Sequence, residues 1–197
     1  VCSSDLVDMD EERAETCLKE INHLANIFSD IESIIEYSHL PLKIEREYFD
    51  IVEEVKKVVK GLEVQFRSKG IELKFDAAGT IEIYSDKGKI LQAIYNLLTN
   101  AYKFTPETGQ VVINIYEENE DVIKIGIKDT GVGIPMKEIE KIFQAYYRGG
   151  NTGNIEGEGL GLYIVKQNIN NLKGKITVKS DVGIGTEFLI SVPIKES

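Results

Sequence analysis

Asn96, Asn100 and Lys103 follow one another at spacings of four and three in a stretch with helical periodicity, so their side chains leave one face of a helix. Two amide carbonyls beside an ammonium suit a metal-bound triphosphate: amide oxygens match a hard cation such as Mg²⁺, and lysine matches phosphate charge. Taken alone, the segment is more simply a polar, solvated helix face. A second set, Asp129-Thr130-Gly131-Val132-Gly133-Ile134-Pro135, follows directly on a strand pattern. Its glycines permit positive φ or a close backbone approach, and a carboxylate at a strand end can accept from an amine such as that of adenine. An ordinary strand–turn–helix link explains the same residues equally well.

A third set, Gly157-Glu158-Gly159-Leu160-Gly161-Leu162, opens a helix, where exposed N–H groups and the positive dipole end bind phosphate. No Gly-Lys-Ser/Thr follows, so it is not a Walker sequence, and it opens no chain-initial βαβ unit of the dinucleotide-binding kind. The fourth, Gly183-Ile184-Gly185-Thr186, is most simply a hairpin turn. Each set is weak by itself; their order along the chain argues for one nucleotide site.

The elements that must position these residues follow from periodicity. Leu18, Ile21, Leu24, Phe28, Ile31 and Ile35 form an apolar stripe on a helix that Pro41 stops, and such a stripe needs partner helices. Past Pro41 the pattern predicts strands over Lys43–Phe49, Ile71–Phe75, Ile81–Tyr84, Val111–Tyr116, Val122–Lys128, Lys175–Lys179 and Glu187–Val192. Helices are expected from the Asp50 N-cap to Lys69, over Lys87–Phe104, over Met136–Phe143 and from Leu160 to Leu172, with a glycine-rich loop over Arg148–Glu158. The fold class is α/β (α+β): residues 1–40 as a bundle helix, then residues 41–197 as a two-layer sandwich with a mixed, mostly antiparallel sheet.

Composition excludes several classes. Hydrophobic residues at 42% allow a real core, which argues against global disorder. A net charge of −10 argues against a nucleic-acid partner, though not against a nucleotide. No apolar run approaches the ~20 residues of a membrane span. Cys2 and Cys17 show no metal-type pairing, as expected of a reduced, cytoplasmic setting.

With these residues in view, the chain resembles the sensor histidine kinases of two-component systems. Asn96–Thr105 (NLLTNAYKFT) resembles their N box, Asp129–Pro135 (DTGVGIP) their first glycine box, Lys141–Arg148 (KIFQAYYR) their F box, and Gly157–Val165 (GEGLGLYIV) their second glycine box. Gly185–Phe188 (GTEF) resembles the last glycine box. The resemblance implies the Bergerat-type ATP fold, with nucleotide under a lid. By similarity Asp129 would bind the adenine amine, with Gly131, Gly133, Ile134 and Thr186 around it. Asn96 and Asn100 would hold Mg²⁺, with Asn100 the firmer ligand, and Lys103 and Arg148 would meet phosphates. Gly157, Gly159, Leu160, Gly161 and Leu162 would form the lid's end, Phe143 would anchor the lid, and Tyr102 and Tyr147 would line the pocket.

The implied reaction is phosphoryl transfer from Mg-ATP to a histidine, with Asn96, Asn100 and Lys103 as the catalytic set. Related hydrolysing ATPases carry a glutamate where Asn96 stands, and an amide cannot act as that base. The family's acceptor motif is missing, because neither His23 nor His39 is followed by the expected residues. The expectation is therefore a fragment carrying the second helix of a dimerisation hairpin, with the acceptor upstream. In the parent kinase, for which the resemblance leaves an inner-membrane anchor open, the implied partners are a second copy and a response regulator receiver domain; the fragment itself would touch no membrane. The alternatives are a serine kinase of the same superfamily, of the anti-sigma type, and a non-catalytic nucleotide-sensing module.

Overall fold

The computed structural model describes residues 43–77, 79–150 and 158–195. The expected bundle helix of residues 1–40, with His23 and His39, lies outside the described residues, as does Gly157.

Helix α1 (Ile51–Ser68) starts where Asp50, in extended conformation, accepts a 3.0 Å hydrogen bond from the Val52 N–H. The same oxygen accepts from the Ile81 N–H at 3.1 Å, so one cap ties α1 to a second chain segment. Val52, Val55, Val59, Leu62 and Phe66 recur at steps of three and four and are buried. Helix α2 (Lys87–Phe104) is capped by Asp86, whose Oδ1 accepts from the Lys89 N–H at 3.0 Å while its Oδ2 accepts from Glu45. It buries Ile90, Ala93, Ile94, Leu97, Leu98 and Ala101. Helix α3 (Gly161–Asn171) buries Ile164, Val165 and Ile169.

Strands β1 (Glu47–Asp50) and β3 (Glu82–Ser85) form an antiparallel pair apart from the main sheet. The five-stranded sheet runs β2 (Glu72–Ala77), β4 (Gln110–Asn119), β5 (Val122–Asp129), β7 (Gly185–Pro193), β6 (Lys175–Asp181). Only β2–β4 is parallel; the other three ladders are antiparallel. Val111, Ile113, Ile115, Ile123, Ile125, Ile127, Phe188, Ile190 and Val192 point to one buried face, which the helices cover. The alternate positions Asn114, Lys124, Lys128, Glu187 and Ser191 remain partly or fully exposed. The expected two-layer α+β arrangement with a mixed sheet is what the chain forms.

Two expectations need correction. The strand expected over residues 43–49 is confined to Glu47–Asp50, because Glu45 gives its N–H to a side chain instead of a strand partner. The helix expected over residues 136–143 is a single 3₁₀ turn, Met136–Glu138, followed by turns. No side chain caps it, and its N–H groups mix three- and four-residue reach: Lys141 and Ile142 both donate to the Glu138 carbonyl. A segment this short gains too little from helix propagation to outweigh the docking of Ile142 and Phe143 on the core.

Candidate nucleotide site

Asp129 ends β5, opposite Thr186 of β7. Its carboxylate is buried, and both of its hydrogen bonds use one oxygen. Oδ1 accepts from the Gly131 N–H at 2.8 Å and from the Thr186 N–H at 3.2 Å. Oδ2 takes no hydrogen bond among the described residues and remains an acceptor for a ligand. Burial holds the carboxyl above the ordinary carboxylate range, and the two N–H donors pull against that shift.

The turn after Asp129 requires glycine at two places. A Cβ on Gly131 would lie 2.6 Å from the Phe104 carbonyl oxygen, at the end of α2. Gly133 has φ +69 and runs against the Asp181 backbone, where no side chain fits. Val132 donates to the Phe104 carbonyl at 3.2 Å and accepts from the Gly183 N–H at 2.9 Å. The turn is thereby stitched between the end of α2 and the β6–β7 hairpin. That hairpin is more than the simple turn its sequence suggests, since Gly185 packs on the Asp129 backbone and Thr186 donates to the carboxylate.

Asn96 and Asn100 sit on the partly exposed face of α2. The start of α3 lies directly across from them: a Cβ on Gly161 would be 3.9 Å from the Asn96 amide carbon and 4.0 Å from Asn100 Nδ2. Asn96 Nδ2 is buried and has no hydrogen-bond partner among the described residues. Helix α3 keeps this register because the fully buried Asn168 donates to Gln92 Oε1 at 2.8 Å across the α2–α3 contact. Lys103 is exposed, and its ammonium makes no ion pair or hydrogen bond among the described residues.

These observations bring Asp129, Gly131, Gly133 and Thr186 together at one turn, and Asn96, Asn100 and Gly161 together across two helices. Ile134 adjoins the turn, its N–H donating to Ser180 Oγ at 2.8 Å. Leu160 is buried and Leu162 half-buried on the core; Gly159 sits against the backbones of Tyr146 and Tyr147, with Tyr147 half-buried and Arg148 exposed. Phe143 packs edge-on to Phe188 at 6.4 Å, under the Lys166 ammonium at 5.5 Å. Tyr102 is not brought to the amide face. Its ring meets Phe66 at a tilt, 5.4 Å between centroids, with Lys69 above it, because residue 102 points away from the stripe of residues 96, 100 and 103.

Residues 85–196, more than half of the chain, match the family model described as histidine kinase-, DNA gyrase B- and HSP90-like ATPase. The chain belongs to that ATPase family. Among its relatives in this family, the histidine protein kinase DivJ of Caulobacter vibrioides is 30% identical over 191 residues, covering 96% of this chain and 32% of DivJ. The chain thus spans about a third of that relative's length. The full-length ShkA crystal structure in complex with AMPPNP superposes with a TM-score of 0.79 at 26% identity, covering 95% of this chain and 40% of that one. Histidine kinase ThkA in complex with the response regulator protein TrrA superposes with a TM-score of 0.71 at 25% identity, covering 88% and 49%. The nucleotide fold of the family is therefore the fold of this chain.

Three contributors escape sequence reasoning in this ATPase fold. Ser180 Oγ donates to the Gly185 carbonyl at 2.9 Å and meets Thr186 Oγ1 at 2.9 Å, bracing the strand that carries the Asp129 donor. Gln92 and Asn168 set the helix register, yet they stand 76 residues apart in sequence. Only the interruption of apolar periodicity by a polar residue on the buried face of α3 signals Asn168 beforehand. Among the described residues no helix is long and apolar enough to cross a membrane.

Proposed function

We propose that this chain is the ATP-binding catalytic region of a sensor histidine kinase, transferring the γ-phosphoryl group of Mg-ATP to a histidine for relay to a receiver-domain aspartate. The observation that carries the proposal is the pairing of the Asn96/Asn100 amide face with the glycine that opens α3. An amide face next to a helix N-terminus offers oxygen ligands and N–H donors to one triphosphate. The DivJ relative, the AMPPNP held by ShkA and the ThkA–TrrA complex support the same reading.

Asp129 Oδ2 accepts the exocyclic amine of adenine, while Gly131 and Gly133 give the base room at the turn. The residues fit Mg²⁺. Among the described residues no cluster of three His, Cys, Asp or Glu side chains is available for a metal. Mg²⁺ is commonly held by one or two protein oxygens plus phosphate, and in the Asn96 amide it is the nitrogen that is buried without a partner among the described residues, which leaves the oxygen available as a ligand. Asn100 and Asn96 are the proposed ligands. The ion, when bound, neutralises charge on the β- and γ-phosphates.

Lys103 and Arg148 approach the phosphates, and the N–H groups at the start of α3 point to the same place. The acceptor imidazole nitrogen attacks the γ-phosphorus, the bond to the bridging oxygen breaks, and ADP departs with that oxygen's charge. These residues position and neutralise; none needs to take a proton from water. Asn96 is an amide where a water-activating hydrolase needs a carboxylate, so transfer to an amino-acid side chain is favoured over hydrolysis.

The test supplies an acceptor hairpin, in cis or in trans, with labelled ATP. Acid-labile label on histidine supports a histidine kinase; acid-stable label on serine, or tight ATP binding without transfer, overturns that reading. Asn100→Ala should cut Mg²⁺-dependent transfer by about a hundredfold while changing nucleotide affinity less, as expected for a group that positions the reacting phosphate. Full activity in the variant would remove Asn100 from the metal site.

A further inference from the structure

The last four carbonyls of a helix have no partner inside it and must find one elsewhere. In α2 every one is engaged. The Thr105 N–H reaches the Ala101 carbonyl at 3.0 Å, and the Val132 N–H reaches Phe104 at 3.2 Å. The two between them share one donor, the ammonium of Lys69, at 2.6 Å from the Tyr102 carbonyl and 3.2 Å from the Lys103 carbonyl. Lys69 is itself the C-cap of α1, its own N–H donating to the Gln65 carbonyl at 3.2 Å. One residue therefore closes two helices, 34 positions apart at their farthest contact.

Lys69 is held as well as holding. Its ammonium sits 4.9 Å above the Tyr102 ring, and that ring leans on Phe66, three residues before Lys69 on α1. Burial lowers the Lys69 pKa while Glu107 raises it, in keeping with an ammonium withdrawn from water at a helix end. Val132 anchors the other side of the same helical turn to the adenine loop. Between these two anchors stands Lys103, whose exposed ammonium meets no other group among the described residues.

We propose that Lys69 is a positioning residue for the triphosphate: by holding the Tyr102 and Lys103 carbonyls it fixes the backbone from which Lys103 reaches the phosphates. This rests on the phosphate role given to Lys103 above. Without Lys69 two carbonyls lose their donor, the last turn of α2 frays, and Lys103 samples more directions. The adenine turn keeps its own hydrogen bonds to Asp129 and Phe104 and is left in place.

The test is calorimetric titration of the 197-residue chain with Mg-ATP and with adenosine. Lys69→Met should weaken Mg-ATP binding by about fivefold, the effect of one modest hydrogen bond, and leave adenosine affinity unchanged. Lys69→Arg, which keeps the charge and the donors, should recover Mg-ATP affinity. The double variant Lys69→Met/Lys103→Met should bind Mg-ATP no more weakly than Lys103→Met alone, because Lys69 acts through Lys103. Equal losses for ATP and adenosine would show general loosening of α2 and overturn the proposal. So would full additivity in the double variant, no effect of Lys69→Met, or no recovery with arginine. If Lys103→Met itself keeps full Mg-ATP affinity, the phosphate role of Lys103 is wrong and the proposal falls with it.

Discussion

The adenine contact proposed for Asp129 depends on that residue's own ionisation. Its carboxyl titrates above the ordinary range because burial disfavours the charge more than two N–H donors favour it. A folded-state pKa raised above the unfolded one gives stability that is present at low pH and lost as pH rises through the raised value. The ligand-free protein should therefore become less stable across that window, and Asp129→Asn should remove this part of the slope in urea unfolding followed over a pH series. Binding should run the other way, because only the carboxylate offers Oδ2 as a full acceptor. Acidification through the window should weaken adenosine binding in the natural chain. Asp129→Asn should bind adenosine about tenfold or more weakly at neutral pH, the scale of a charge-assisted hydrogen bond, with little further loss on acidification. Unchanged affinity by calorimetry would remove the adenine role. The amide pair and this carboxylate are readable from spacing because their neighbours in the chain supply the context. Lys69 and Gln92 are not, since their partners lie 33 and 76 residues away and single-chain periodicity carries no information on such pairs.

The glycine turn after β5 meets α2 at the Phe104 carbonyl. Gly131 sits where any Cβ would press on the Phe104 carbonyl at 2.6 Å. Gly131→Ala should cost about 1–3 kcal/mol of stability by overpacking, and should weaken ATP binding because the displaced group ends the helix that bears Asn100. Urea unfolding and calorimetry on the same sample measure both. Wild-type values for the two would show that the backbone relaxes freely and that the close approach has no role. The long helices are legible because apolar stripes mark them, and Asp50 stands one residue before the first helical position of α1, as expected; the Asp86 cap of α2 is added by the structure. The segment 136–143 was misread because Ile139, Ile142 and Phe143 recur at helical steps, although tertiary docking, not local propagation, sets their conformation. Strand β1 was overextended because alternation alone cannot tell a strand partner from the side chain of Asp86.

Among the described residues, one apolar core joins the sheet to the three helices. Ile125 lies on the central strand β5 with no exposed surface, so Ile125→Ala should lower unfolding free energy by about 2–5 kcal/mol, read from urea denaturation. A loss below 1 kcal/mol would mean that the site collapses around the cavity. The layer count and the mixed character of the sheet were readable from the alternation of strand and helix patterns. The strand order was not, because β2 and β4 are neighbours in space although β3 and α2 intervene in the chain. That parallel pair has a consequence for assembly in time. Its two strands can zip only after the chain between them, with the helix of the amide face, has looped back, and long loops close late. The sheet edge and the amide helix are therefore tied to one loop closure, and a cut in the segment between β2 and β4 would disturb both.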